Sequence, residues 1–207
     1  MFTQKELTWI IVAIIIFEFI IIFPSYKNLT IPALIAPILI VFTSVITKKV
    51  ASSRYNLTIE HKSWEFQNYG WSKESRFKKP FPIGLVFPIL ITILFNGIIK
   101  PLIFLQFDSK DIFEKRILKK RGLKRKTEIN DSDIAFTACW GFYALIILAV
   151  IGSLFKLPEL TAFSIFYGAW NLIPFGNLDG SKVFFGSVIN WAILVVFYAV
   201  SLVIVLL

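Results

Sequence analysis

Long apolar runs, separated by two hydrophilic stretches, dominate the chain. Residues 8–23 (TWIIVAIIIFEFIIIF) form the first, with Thr8 and Trp9 suited to a membrane interface. This run has no small-residue cleavage site and ends at Phe23-Pro24, so it reads as a retained helix and not a cleaved leader. Residues 30–47 form the second, and its helix is expected to run on past Lys48 and Lys49. A third block, 82–105, is interrupted by Asn96-Gly97 and Lys100-Pro101. Residues 134–155 are the fourth run, 161–175 a short fifth ended by Pro174 and Gly176, and 183–207 the last, with Ser187, Asn190 and Ser201 as polar positions. The pattern predicts an all-α polytopic membrane protein, a single membrane domain over 1–207, with five full or partial transmembrane helices. Trp64 to Gln67 and Arg76-Phe77 alternate weakly, which allows a small β-hairpin between helices.

Charge sharpens the topology. The segment 48–81 carries Lys48, Lys49, Arg54, Lys62, Lys73, Arg76, Lys78 and Lys79. The segment 106–133 carries Lys110, Lys115, Arg116, Lys119, Lys120, Arg121, Lys124, Arg125 and Lys126. Together they hold 17 of the 22 Lys and Arg residues and most of the excess behind a net charge of +9. Basic loops favour the cytoplasmic side. If 82–105 crossed once, the two loops would lie on opposite sides. Its length is too small for two crossings at about 1.5 Å per residue. A re-entrant block bent at its helix breakers and buried in protein satisfies both constraints, with a single span as the alternative. The re-entrant arrangement puts the N-terminus in the cytoplasm and the turn 176–182 near the cytoplasmic face.

Composition narrows the chemistry. At 57% hydrophobic, the chain lies above the roughly 45–50% apolar content of soluble domains. One Cys excludes an internal disulfide, and one His excludes any zinc site needing two histidines of this chain. Cys139 lies in apolar surroundings and reads as a small hydrophobe, not a nucleophile. Glu18 reads as partnered or interfacial before it reads as an ion site, and Lys100 as snorkelling, with a lipid head group as the alternative. The run Lys115, Arg116, Lys119, Lys120, Arg121, Lys124, Arg125 and Lys126 suits anionic lipid at a cytoplasmic loop. Nucleic acid is the second reading, since basic density alone gives only nonspecific phosphate affinity. The sequons at Asn28, Asn56 and Asn130 are chance-level matches, and neither a phosphate loop nor an internal repeat is evident.

The most informative local sequence is 171–184, NLIPFGNLDGSKVF. An Asp within apolar surroundings is costly, about 2.5–3.5 kcal/mol at a helix centre, and is expected to face protein, water or metal. It also suits the N-cap of the last helix, with Lys182 as a possible partner. Asn171, Pro174, Leu178, Asp179 and Gly180 together resemble the second signature of the site-2 proteases, which are intramembrane zinc metalloproteases. The resemblance extends over about 30–207 and implies a site-2-protease-like core, archaeal-type branch, with Asp179 at the position of a zinc ligand. The family's first signature is His-Glu-x-x-His: two histidines one turn apart bind the metal and the glutamate acts as general base. Its counterpart here is placed at VFTSVITKKVA, residues 41–51, followed by a family-like EHKSW at 60–64. Thr43 and Thr47 stand for the histidines and Ser44 for the glutamate. Neutral hydroxyls are weak substitutes for those ligands. An alternative alignment takes Glu60-His61-Lys62 as a remnant of the motif and still lacks the second histidine. The Gly-Pro-x-x-Asn element expected in 134–155 is not recognisable in DIAFTACWGFY.

The resemblance therefore implies a pseudoprotease, without a catalytic residue or a metal cofactor, that binds or regulates a membrane protein or transmembrane segment in the cell membrane. Two alternatives stay open: an active zinc protease with unrecognised or partner-supplied ligands, and a structural subunit docking lipid, RNA or protein through its basic loops.

Overall fold

The computed structural model describes residues 2–23, 30–55, 57–68, 76–111 and 130–206. The basic run from Lys115 to Lys126 lies outside them. Helices cover most of the apolar segments. α1 spans Gln4–Ile22, α2 Ile31–Arg54, α3 Ile83–Leu94, α4 Asp131–Leu154, α5 Pro158–Leu172, α6 Asp179–Gly186 and α7 Val188–Leu206. Three of them, α2, α4 and α7, are long and apolar enough to cross a membrane, and the chain is a mostly helical, membrane-type protein. α5, at 15 residues, is shorter than the roughly 17–25 residues of a span.

Local chemistry sets the helix ends. Thr3, Thr30 and Asn130 N-cap α1, α2 and α4, each side chain accepting a backbone N–H in the first turn. Thr30 also donates to Glu159 Oε1 at 3.0 Å, so α2 and α5 start at one end of the bundle. α4 is central, packed on α2, α5 and α6. Ile10, Phe17, Ile40, Phe104, Leu145 and Tyr167 belong to one buried core cluster. A second joins Ile59, Phe107, Phe142, Val183, Leu194 and Tyr198.

The mostly helical architecture also carries short strands among the described residues. Two antiparallel strand pairs sit beside the helices. β2 (Phe66–Asn68) pairs with β3 (Arg76–Phe81), the hairpin that the weak alternation allowed. The other pair joins β1 (Leu57–Ser63) to β4 (Leu105–Asp111), in register from Leu57 opposite Asp111 to Ser63 opposite Leu105. It occupies parts of the segments read from charge alone as basic loops. The charged residues of β1 alternate with buried Leu57, Ile59, His61 and Ser63, so they line one face of a strand.

The 82–105 block is not uniformly helical. α3 ends at Leu94, the chain reverses through Asn96 and Gly97 at positive φ, and a buried run from Pro101 leads into β4. Both ends of the block meet at Trp64: Gly84 N–H donates to the Trp64 carbonyl at 2.8 Å, and Trp64 N–H donates to the Phe104 carbonyl at 2.9 Å. The last apolar run is also broken. Ser187 adopts extended backbone (φ −165°) and separates α6 from α7, so 183–207 is two helices.

Candidate functional site

Asp179 is the first residue of α6 and is almost fully buried. Its carboxylate does not cap the helix; Leu178 is the N-cap residue and no side chain caps there. Instead Asp179 Oδ2 accepts from the Lys48 ammonium of α2, in a buried ion pair. Lys182, one turn on, lies 3.9 Å from Oδ1. Burial works to raise the Asp179 carboxyl, but the Lys48 and Lys182 ammoniums outweigh it and hold it below the ordinary carboxylate range.

The approach of α2 to α6 follows from small residues. A Cβ on Gly141 of α4 would lie 2.4 Å from Lys48 Cε, so the lysine stem crosses α4 where no side chain stands. A Cβ on Gly180 would lie 2.2 Å from the Leu172 carbonyl oxygen, which lets the start of α6 abut the end of α5. Asn171 is buried and donates through Nδ2 to the Tyr167 and Leu102 carbonyls, at 2.8 and 2.9 Å, tying α5 to the run entering β4. Leu178 packs with Trp64 and Ile103. Pro174 is exposed, in the turn between α5 and α6. Three of the five signature residues, Asn171, Leu178 and Gly180, thus pack or hydrogen-bond around the start of α6, where Asp179 stands.

A second charged group adjoins the first. Glu6, in the first turn of α1, accepts from the Lys49 ammonium and from the backbone N–H of His61 at 3.1 Å. His61 Nδ1 lies 2.9 Å from Glu6 Oε1. Burial alone would raise the Glu6 carboxyl, yet the bonds from His61 and Lys49 bring it down to about 2. Burial lowers the His61 imidazole, so the ring is neutral near pH 7 and donates its Nδ1 proton to Glu6. The Phe107 ring of β4 lies between the groups, with the Lys182 ammonium 3.6 Å from its centroid and the His61 ring at 6.1 Å. Lys182 also donates to the Phe107 carbonyl, and burial pushes its ammonium down to about 8.

The residues of α2 read from sequence as the motif stretch differ in burial. Ser44 and Lys48, four apart on α2, are the buried pair on the side of Asp179, and Ser44 lies near Tyr167. Thr43 and Thr47 are half-buried, whereas the ion-pair partners of Asp179 among the described residues are Lys48 and Lys182. His61, placed from sequence in a polar segment, is a buried strand residue of the same network, whereas Lys62 points away to Glu65 and Asp108. Sequence alone does not point to Lys48 or Glu6 as site residues, whereas Lys182, read as a possible partner of Asp179, lies beside it. One signal was available, since Lys48 and Asp179 are opposite charges at the ends of apolar runs, each needing a buried partner.

The donor set does not suit zinc. The residues facing Asp179 from α2 are a neutral hydroxyl and a cation, and the carboxylate already holds an ammonium. Among the described residues, no three His, Cys, Asp or Glu side chains group closely enough to hold a metal ion. Compared with protein-family models, curated proteins and solved structures, the chain finds no match.

Proposed function

We propose that this is a pseudoprotease of the site-2 type, in which the Lys48 ammonium has taken the place of the metal ion beside Asp179. The observation that carries the reading is the buried Lys48–Asp179 pair, with Ser44 one turn before Lys48 on the same side of α2. A cation on the carboxylate retains the charge balance of a metal site and supplies no Lewis acid or activated water. Such a protein holds a membrane partner without cutting it. An apolar groove of about 260 Å³ between α5 and α7, lined by Ala169, Pro174, Trp191, Val195 and Leu202, suits a partner's transmembrane helix. The meeting of both ends of 82–105 at Trp64 supports a re-entrant block with both basic loops in the cytoplasm. There the run Lys115 to Lys126 rests on anionic lipid.

The test restores the ligands. A Ser44→His/Lys48→His variant, with Asp179 intact, is expected to bind one zinc per chain by metal analysis after purification. Thr43→His/Thr47→His is expected to bind none. Zinc retention by the second variant alone, or by neither, contradicts the geometric basis of the proposal. Cleavage of a transmembrane peptide by the native chain carrying stoichiometric zinc contradicts the loss of catalysis.

A further inference from the structure

A cavity of about 310 Å³ opens between the return run at 98–102 and α5. Ile98, Leu102, Phe163, Phe166 and Trp170 form its walls, and Lys100 is its charged lining residue. Volume and lining match small-ligand sites, which are roughly 300–1,000 Å³ and apolar with a few placed polar groups. The half-buried Lys100 donates to the Ile21 carbonyl at 3.3 Å, in the last turn of α1, which has no basic residue of its own. An ammonium has three donors, and among the described residues only the Ile21 carbonyl accepts from this one. Among the described residues no carboxylate ion-pairs with Lys100. Ile21 lies about 22 Å along α1 from Glu6, at about 1.5 Å per residue. That distance spans most of a hydrocarbon core about 30 Å thick. An unpaired cation at such a depth draws an anion or snorkels to the interface.

We propose that this cavity binds the acyl chain of an anionic amphiphile, with Lys100 holding its head group. The aromatic side chains of α5 supply the apolar wall, and charge complementarity selects an anion over a zwitterion. The shared chemistry is a carboxylate or phosphate on an alkyl chain, available from a free fatty acid or from an anionic phospholipid. The site is independent of the Lys48–Asp179 pair, so it stands whether or not the pseudoprotease reading does.

Trp170 provides the readout. The native protein is placed in phosphatidylcholine nanodiscs doped with brominated phosphatidylglycerol, brominated phosphatidylcholine or brominated oleate. The fluorescence lost on Trp170→Phe isolates the Trp170 emission. Half-quenching is expected at about one tenth the mole fraction for an anionic probe as for brominated phosphatidylcholine. Preference for phosphatidylglycerol assigns a phospholipid, and preference for oleate alone assigns a fatty acid. Lys100→Met is expected to abolish the preference and Lys100→Arg to keep it. Equal quenching of the native protein by all three probes overturns the proposal, as does a preference that survives Lys100→Met. The native measurement decides even if a variant fails to fold.

Discussion

Removing one partner of the Lys48–Asp179 pair leaves the other charge buried without its counterion. Lys48 is 6% exposed and Asp179 2%, so neither regains water without local opening. Breaking such a pair costs about 3–5 kcal/mol. The surroundings separate the two single variants. In Lys48→Met, Asp179 still has the Lys182 ammonium 3.9 Å away, which places the loss near the lower end, about 3 kcal/mol. In Asp179→Asn, the Lys48 and Lys182 ammoniums face each other without a carboxylate, which places it near about 5 kcal/mol. At about 2–4 °C per kcal/mol for a chain of this size, the midpoints fall by about 6–20 °C, with Asp179→Asn the lower. Lys48→Met/Asp179→Asn removes both charges of the pair and is expected to recover at least about 2 kcal/mol relative to the sum of the single losses. Thermal unfolding of the purified protein in one detergent, followed by intrinsic fluorescence, measures all four forms. Single variants within about 1 kcal/mol of native, or a double variant equal to the sum of the singles, would refute the buried pair.

Three further outcomes follow from the same geometry. Glu6 falls from 4.5 to about 2 on folding, so its contribution, up to about 3 kcal/mol, is fully present above pH 4.5 and is lost as pH falls toward 2. The lowered His61 adds a loss that begins below its ordinary 6.5; acid titration of stability should show both, and Glu6→Gln should remove the lower step. Gly180→Ala sets a Cβ against backbone at 2.2 Å and is expected to cost about 1–3 kcal/mol, more than Gly141→Ala, which meets a lysine stem able to shift; equal midpoints for the two variants would contradict the tight α5–α6 approach. With Cys139 replaced by Ala, single cysteines at Lys73 and Lys120 should label from the same side of sealed vesicles; labelling from opposite sides would rule out the re-entrant block.

The helical framework was legible because apolar length alone marks a membrane helix, and α1, α2, α4 and α5 lie close to the segments read from sequence. β1 and β4 were hidden for a physical reason. They are short, they lie in charge-rich stretches, and their pairing joins positions far apart in the chain, which periodicity does not encode. The break at Ser187 was hidden because both flanks are apolar. In the site, Asp179 was legible as a costly buried charge, while its counterion was not. Lys48 sits at the end of a helix beside Lys49, where a lysine ordinarily reaches solvent. Only the gap at Gly141 and the tertiary approach of α6 turn it inward. Thr43 and Ser44 are equally small and polar in the sequence, and only the fold separates half-buried Thr43 from buried Ser44.

The closure at Trp64 also orders events during synthesis. β1 is complete before α3 is made, yet its partner strand begins only at Leu105. When the ribosome delivers α3, the strand pair that will tie off the block does not yet exist. Under the proposed re-entrant arrangement, insertion proceeds on the apolar surface of α3 itself, and β1 lacks its β4 partner throughout that interval. The translated chain is most exposed to mispairing while it still lacks β4. A charged residue on the outer face of α3, at Leu90 or Leu94, would then reduce the yield of inserted protein more than the stability of the molecules that finish folding.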